Sequence, residues 1–181
     1  CTLTVARGEE TLEVTANRAE YTSTTVTGRM VDSVGVIRIY SFASNTEEQF
    51  KRVYHDLIGQ GASGLVIDLR NNLGGTLDST ERILDFLLPE GNLYTTVYKD
   101  GREEEHFSDA NCVSLPMAVL VNGNSASASE LFAGAMQDFG AAKLVGTQTY
   151  GKGVMQNTYT LRDKSSVVLT FAYFNLPKGE N

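Results

Sequence analysis

The chain has 181 residues, a formal net charge of -7 and an apolar content of 41%. This length suits one substantial hydrophobic core, and the composition is that of a globular domain rather than of a disordered or fibrous chain. General nucleic-acid binding is disfavoured, because contact with phosphates needs clustered Lys and Arg, which the sequence lacks. The two cysteines, Cys1 and Cys112, have no metal-ligand spacing, so we expect no zinc site.

The first part of the chain predicts a β-hairpin followed by a polar segment. Apolar and polar residues alternate over 2–7 and 11–15, on either side of a turn that contains Gly8. Because an isolated hairpin is only marginally stable, we expect this one to belong to a larger sheet or to a module that lies upstream. The polar, Thr-rich residues that follow predict a linker.

A strand, a helix and a second strand come next, which is the pattern of a parallel βαβ unit. Residues 34–40 are β-branched and apolar, residues 46–58 carry a helical apolar stripe, and residues 65–69 form another buried strand. The second strand runs into the polar double-glycine segment 68–75, DLRNNLGG. Open parallel sheets bind ligands in the loops beyond the carboxyl ends of their strands, so this segment is either a binding loop or a plain turn.

The rest of the chain alternates helices with strands and closes on a hairpin. Helical spacing over 78–88 and 125–139 predicts two further helices. The predicted strands are 93–98, 104–107, 116–121, 142–145, 155–161 and 165–174. The fold class is therefore α/β, with βαβ units in the core and β-hairpins added at both ends.

Ser127 is the first candidate for chemistry. With Glu130 it forms the Ser-x-x-Glu pattern of a capping box, which explains it as a structural residue. A serine at the start of a helix also lies beside unpaired backbone N–H groups that suit an oxyanion, and the small residues Ala126 and Ala128 leave room for a substrate. Both interpretations stay open on this pattern alone.

Lys152 lies between Gly151 and Gly153, where an exposed turn lysine is the alternative to a general base. A lysine acts as a base only when its surroundings favour the neutral amine, and a Ser and Lys pair needs no histidine. The segment 146–153 also matches a phosphate-binding P-loop except that Gly153 replaces the Ser or Thr that binds magnesium. Because a strand follows instead of a helix, nucleotide binding is disfavoured. We discount His106, which lies in an arm of a predicted hairpin, as a triad histidine.

Three segments taken together resemble the carboxy-terminal processing proteases, also called tail-specific proteases. They are DLRNNLGG at 68–75, NGNSASASELFAGAMQD at 122–138 and VGTQTYGKGVMQ at 145–156. The resemblance extends over 34–181 and implies a crotonase-like protease core of ββα type, truncated at its carboxyl end. By the same resemblance, residues 1–20 are the last strands of a PDZ domain and residues 21–33 are a linker.

The resemblance implies a serine peptidase with Ser127 as nucleophile, Lys152 as base and Gln156 as the residue that orients the lysine. The backbone N–H groups of Gly75 and Ala128 are expected to form the oxyanion hole, and neither a metal nor an organic cofactor is implied. The expected partners are protein or peptide substrates with exposed carboxyl-terminal tails, and also a regulatory protein or a second copy of the chain. The expected location is the bacterial cell envelope, outside the cytoplasm, with any anchor in a segment beyond this chain.

Two alternatives accompany this prediction. A non-catalytic peptide-binding or scaffolding module on the same fold is favoured if Ser127 and Lys152 lie too far apart for a hydrogen bond. A crotonase-type enzyme shares the βαβ core and a backbone oxyanion hole but needs no Ser and Lys pair, and coenzyme A binding would identify it.

Overall fold

The structure, a computed structural model, describes residues 1–179. Its helices are α1 (Thr46–Gly59), α2 (Leu77–Leu87) and α3 (Ala128–Asp138). Its strands are β1 (Thr2–Arg7), β2 (Glu10–Thr15), β3 (Val26–Val31), β4 (Val34–Ile39), β5 (Gly64–Asp68), β6 (Gly91–Tyr98), β7 (Glu103–Ser108), β8 (Met117–Val121), β9 (Ala142–Gly146), β10 (Val154–Thr160) and β11 (Ser166–Asn175). The mixed α/β class predicted from the sequence is confirmed.

A five-stranded sheet of order β3-β4-β5-β8-β9 forms the centre of the molecule. Strands β4, β5, β8 and β9 are parallel, and β3 is antiparallel to β4 at one edge. The side chains of Ile37, Ile67 and Val119 are fully buried on the face that the helices cover. Helix α1 approaches this face closely, because a Cβ atom on Gly28 would lie 2.3 Å from Val53 Cγ1. Gly28 is therefore needed for contact between β3 and α1.

A second sheet of order β10-β11-β6-β7 is wholly antiparallel and packs beside α2. A polar cluster fixes α2 to it, since Glu81 Oε2 accepts a hydrogen bond from the Tyr94 hydroxyl at 2.9 Å and lies 3.1 Å from His106 Nδ1. The other ring nitrogen of His106 lies 3.1 Å from Thr96 Oγ1. Thr96 is only 1% exposed, so a substrate cannot reach its hydroxyl and the cluster supports the fold.

The amino-terminal hairpin β1–β2 is confirmed, and it forms a separate two-stranded sheet. Its register pairs Leu3 with Val14 and Val5 with Leu12, which places the four apolar side chains on one face. Leu3 is 51% exposed and Val14 is 47% exposed, so this face is not covered within the described chain.

The predicted linker over 21–33 misses strand β3, which pairs along its whole length with β4. The strand was obscured in the sequence because Thr27 and Arg29 face solvent and Gly28 occupies an inward position. No helix in the described part of the chain is long and apolar enough to cross a membrane.

Candidate active site

Two polar loops meet where neighbouring parallel strands β5 and β8 end. Asn71, in the first loop, has a left-handed backbone (φ 64°) and donates its N–H to Asn122 Oδ1 at 3.0 Å. Its side-chain oxygen accepts hydrogen bonds from the amides of Asn122 and Asn124, both at 3.0 Å. These bonds hold the segments DLRNNLGG and NGNSASAS together at the edge of the sheet where ligands bind in such folds.

The three serines of the second loop have different environments. Ser125 and Ser129 are fully buried, and their hydroxyls donate to the carbonyl oxygens of Leu69 at 2.8 Å and Asn72 at 3.0 Å. Ser127 is half-buried and lines a cavity. The outer two serines therefore join the loops, and Ser127 is the serine that a substrate can reach.

Ser127 has a strained backbone, with φ 57° and ψ -118°. A non-glycine residue in such a sparsely populated region costs about 1–3 kcal/mol and is found mainly at functional sites. Because of this turn, α3 begins at Ala128 and not at the predicted position 125. The N–H of Ser127 donates to Glu130 Oε2 at 2.7 Å, which is the carboxylate half of the expected capping box. Capping and an exposed hydroxyl therefore occur at the same residue.

We expect Ser127→Gly to be more stable than Ser127→Ala by about 1 kcal/mol. Glycine adopts a positive φ without the clash of a Cβ atom, which is worth about 1–2 kcal/mol, and part of this gain is offset by the greater entropy of the unfolded glycine chain. Urea denaturation of the two variants measures the difference. Equal stability would show that the surrounding structure relaxes and that Ser127 is not strained.

The two predicted oxyanion-hole donors lie on neighbouring segments and are free. A Cβ atom on Gly74 would lie 3.0 Å from the backbone nitrogen of Ala128, so the glycine pair touches the start of α3. Gly75 has a φ of 149°, and a Cβ atom there would meet Phe42 O at 2.0 Å. Within residues 1–179, neither the N–H of Gly75 nor that of Ala128 finds an acceptor. Both donors remain available to a ligand, and Ala128 adds the positive end of the α3 dipole.

Glu130 links the turn at Ser127 to the loop that carries Lys152. Besides the N–H of Ser127, its carboxylate accepts the N–H of Gly151 at 2.6 Å and that of Lys152 at 2.8 Å. The loop is also held by the N–H of Tyr150, which donates to the Ser125 carbonyl at 3.0 Å. The sequence pattern indicated Glu130 only as a cap partner, and nothing in its spacing pointed to the second role.

A cavity of about 560 Å³ collects the predicted side chains. Ser127, Lys152, Gln156 and Gly75 all line it. In the described part of the chain no hydrogen bond joins the hydroxyl of Ser127 to the amine of Lys152. The side-chain amide of Gln156 donates to Thr170 Oγ1 at 3.3 Å and forms no hydrogen bond with the lysine there. The fold brings the residues to one cavity without linking them, and catalytic hydrogen bonds are often long before substrate binds.

Asp68 is the last residue of β5, where the first loop begins, and its carboxylate is buried. Burial opposes its ionisation, but the hydrogen bonds and charge of Arg70, together with the charge of Arg38, outweigh this effect and lower the pKa of the carboxyl group. Arg70 binds it through two nitrogens, at 2.8 and 2.7 Å. This ion pair fixes the direction in which the loop leaves β5. Within residues 1–179, no group of His, Cys, Asp and Glu is arranged to hold a metal ion.

Asp68→Asn is expected to destabilise the protein by about 1–3 kcal/mol at neutral pH, the range for hydrogen bonds to charged groups. Because folding lowers the pKa of Asp68, its stabilisation is present above the unfolded value of 3.8 and is lost as pH falls through the folded value. The difference between wild type and variant should therefore shrink below about pH 4. Urea denaturation across pH 3–7 measures it, with exposed Asp56→Asn as control; a difference independent of pH would contradict the assignment.

Comparison with known proteins identifies the relatives of this chain. The model of Peptidase family S41 matches residues 33–181. A carboxyl-terminal-processing protease of Synechocystis sp. is 40% identical over 147 residues, which are 81% of this chain and 34% of that protein. A chloroplastic C-terminal processing peptidase of Tetradesmus obliquus is 34% identical over 154 residues, which are 84% of this chain and 33% of that protein. The chain thus spans about a third of the length of these relatives.

The solved structure of a photosystem II D1 C-terminal processing protease has the same fold. It matches with a TM-score of 0.78 and 31% identity, over 95% of this chain and 48% of that one. The protease-type core expected from the sequence is confirmed by this match. Because the family model covers most of the chain and includes every predicted site residue, the chain belongs to Peptidase family S41.

Proposed function

We propose that this protein is a serine endopeptidase that cleaves protein substrates near their carboxyl-terminal tails, with Ser127 and Lys152 as its catalytic pair. The observation that carries the proposal is the single cavity into which Ser127, Lys152 and the Gly75 loop all open. The strained turn at Ser127 and the two unpaired backbone N–H groups beside it support the same chemistry. Such a constellation suits acyl transfer, which needs a nucleophile, a base and oxyanion donors.

In this mechanism the neutral amine of Lys152 removes the proton of Ser127 as the hydroxyl oxygen attacks the substrate carbonyl carbon. The N–H groups of Gly75 and Ala128 stabilise the negative charge that develops on the carbonyl oxygen. The lysine ammonium then gives its proton to the leaving amine, and water hydrolyses the acyl-enzyme. Substrate binding must bring the Lys152 amine to within about 2.6–3.2 Å of the hydroxyl, and Gln156 orients it there.

The walls of the cavity favour an apolar substrate residue beside the cleaved bond. Its apolar lining comes from the glycine loop, the start of α2 and the β10–β11 hairpin, and consists of Leu73, Leu77, Val154, Met155, Val168, Phe171 and Phe174. Among residues 1–179, no carboxylate side chain lines it, so none of them would pair with a basic substrate side chain. We therefore expect cleavage next to Ala, Val or Leu rather than next to Lys or Arg.

A PDZ domain, of which residues 1–20 form the last strands, recognises the carboxyl-terminal tail of the substrate. The uncovered apolar face of the β1–β2 hairpin supports this assignment, because such a hairpin needs a larger sheet or core to be stable. PDZ domains bind a peptide by adding it as a strand. We place the protein outside the cytoplasm, in the bacterial cell envelope, with regulatory proteins or a second copy as further partners.

The experiment is cleavage of a peptide with a free carboxyl terminus by a longer form of the protein that includes the complete upstream domain. Wild type is expected to cut it at an internal bond, Ser127→Ala is expected to leave it intact, and the amidated peptide is expected to be a poorer substrate. Mass spectrometry identifies the cut. Cleavage by Ser127→Ala would remove the assigned nucleophile, and equal cleavage of the amidated peptide would remove the tail specificity.

A non-catalytic peptide-binding module is the second candidate. The specific observation in its favour is that, within residues 1–179, no hydrogen bond joins Ser127 to Lys152. This candidate predicts that wild type binds the same peptide with an affinity that does not change over time. It also predicts that no fragment is released, even after prolonged incubation. Fragment release that depends on Ser127 would exclude it.

A further inference from the structure

Within the described residues 1–179, the five-stranded sheet leaves one of its two faces uncovered. Along β4, Ile37 points to the helices, so Val36 and Arg38 point to the opposite side. The strand register places seven apolar residues on that side: Val31, Val34, Val36, Val66, Ala118, Leu120 and Val145. It places three basic residues there as well: Arg29, Arg38 and Lys143. We call these ten residues the open face.

None of the three helices in the described part of the chain lies on the open face. Helix α1 contacts Gly28 and Gly35 on the other side, and α3 shares a cavity with Leu144, whose neighbours Lys143 and Val145 point away. None of the seven apolar side chains belongs to the hydrophobic core, and Val145 is 54% exposed. Sheets made mainly of parallel strands are almost always covered on both faces. An uncovered face with seven apolar residues is therefore typical of an interaction surface.

The charges on the open face indicate what covers it. Within residues 1–179, Arg29, Arg38 and Lys143 form no salt bridge, and the one acid that shares their side of the sheet, Asp68, is paired with Arg70. The surface is thus cationic, although the chain as a whole carries a formal charge of -7. Electrostatic complementarity calls for an occupant with acidic groups beside an apolar surface.

We propose that the open face binds an amphipathic α-helix of a partner protein, with an apolar stripe on the valines and Asp or Glu residues beside Arg29, Arg38 and Lys143. Five strands about 4.8 Å apart span about 20 Å, which accommodates a helix about 10 Å wide. A second copy stacked face to face would set the basic residues against one another. Insertion into a membrane is disfavoured because the apolar residues are mostly short valines rather than Trp, Phe or Leu.

The test uses the longer form of the protein that includes the complete upstream domain, and a synthetic 18-residue helical peptide whose Leu and Ala stripe is bordered by Glu. We expect binding that weakens as salt increases, with NMR shifts of the backbone amides of Val36, Val66 and Leu120. The double variant Arg29→Glu and Lys143→Glu should weaken binding at least about tenfold. The double variant Arg52→Glu and Lys99→Glu, which changes the charge equally at exposed sites elsewhere, should leave it unchanged.

Four results would overturn the proposal. They are no binding of the Glu-bordered peptide, equal binding of a peptide bordered by Lys, shifts confined to other surfaces, and binding of phosphatidylserine vesicles in preference to the peptide. Sedimentation of the chain alone adds a fifth criterion, because a dimer that the Arg29→Glu and Lys143→Glu variant disrupts would assign the face to a second copy. The open face lies apart from Ser127, so the outcome is independent of whether the protein cleaves peptides.

Discussion

Replacing Lys152 with Met is expected to lower kcat/KM for a cleaved peptide by about 1,000-fold or more. Methionine approximates the length of the lysine side chain and removes only its amine, so in the proposed mechanism Ser127 would lose the base that takes its proton. The loop itself should keep its position, because Glu130 holds it through the backbone N–H groups of Gly151 and Lys152 and not through the lysine amine. The loss should therefore occur in kcat with little change in thermal stability.

Two comparisons separate a base from a positive charge. Lys152→Arg keeps the charge but cannot provide a neutral amine near neutral pH, so we expect it to be as inactive as Lys152→Met. The exposed turn residue Lys99 provides the control, since Lys99→Met removes an amine of the same kind without effect on the cavity. Steady-state hydrolysis of a fluorogenic peptide measures all three variants. Substantial activity in Lys152→Arg would show that the residue acts by charge alone.

When two residues act together in one catalytic step, removing either one abolishes that step, and removing the second causes no further loss of activity. The double variant of Ser127→Ala with Lys152→Met is therefore expected to be no less active than either single variant. If the double variant were slower than both by the product of their effects, Ser127 and Lys152 would act independently and the catalytic pair would be wrong.

The regular parts of the fold were predictable because periodicity alone specifies them. The apolar stripe of α1 and the β-branched run of β4 depend on local sequence, and the structure places both within a few residues of the predicted bounds. Strand β3 was missed because Gly28 and its polar neighbours lack any strand signal until α1 packs against them. The exact relation between Ser127 and Lys152 was also beyond the sequence, since it depends on how two loops pack.

The candidate site was likewise predictable from the sequence only in part. Spacing selected the serine cluster, but only the carbonyl oxygens of Leu69 and Asn72, contributed by another loop, explain why Ser125 and Ser129 are structural and Ser127 is exposed to the cavity. Glu130 was recognisable as a cap, because its partner lies three residues away. Its bonds to residues 151 and 152 were not, because contacts over 21 and 22 positions leave no local pattern.

Glu130→Gln is expected to lower kcat by about 100-fold or more and to cost about 2–3 kcal/mol of stability. The carboxylate accepts three backbone N–H groups with its two oxygens, and Oε2 alone receives those of Ser127 and Lys152. Glutamine offers one acceptor oxygen, and its amide donors must face at least one of these N–H groups. Either the Ser127 turn or the lysine loop loses its anchor, and a displacement of about 1 Å is enough for such a loss of rate.

The control is Glu48→Gln, which removes the same charge from the first turn of α1 at an exposed position. A merely structural role for Glu130 predicts that kcat per folded molecule stays normal at a temperature well below the melting point of the variant. A positioning role predicts that kcat falls in fully folded protein while KM changes little, because Glu130 is not among the residues that line the Ser127 cavity. Normal kcat in folded Glu130→Gln would contradict the positioning role, whatever the loss of stability.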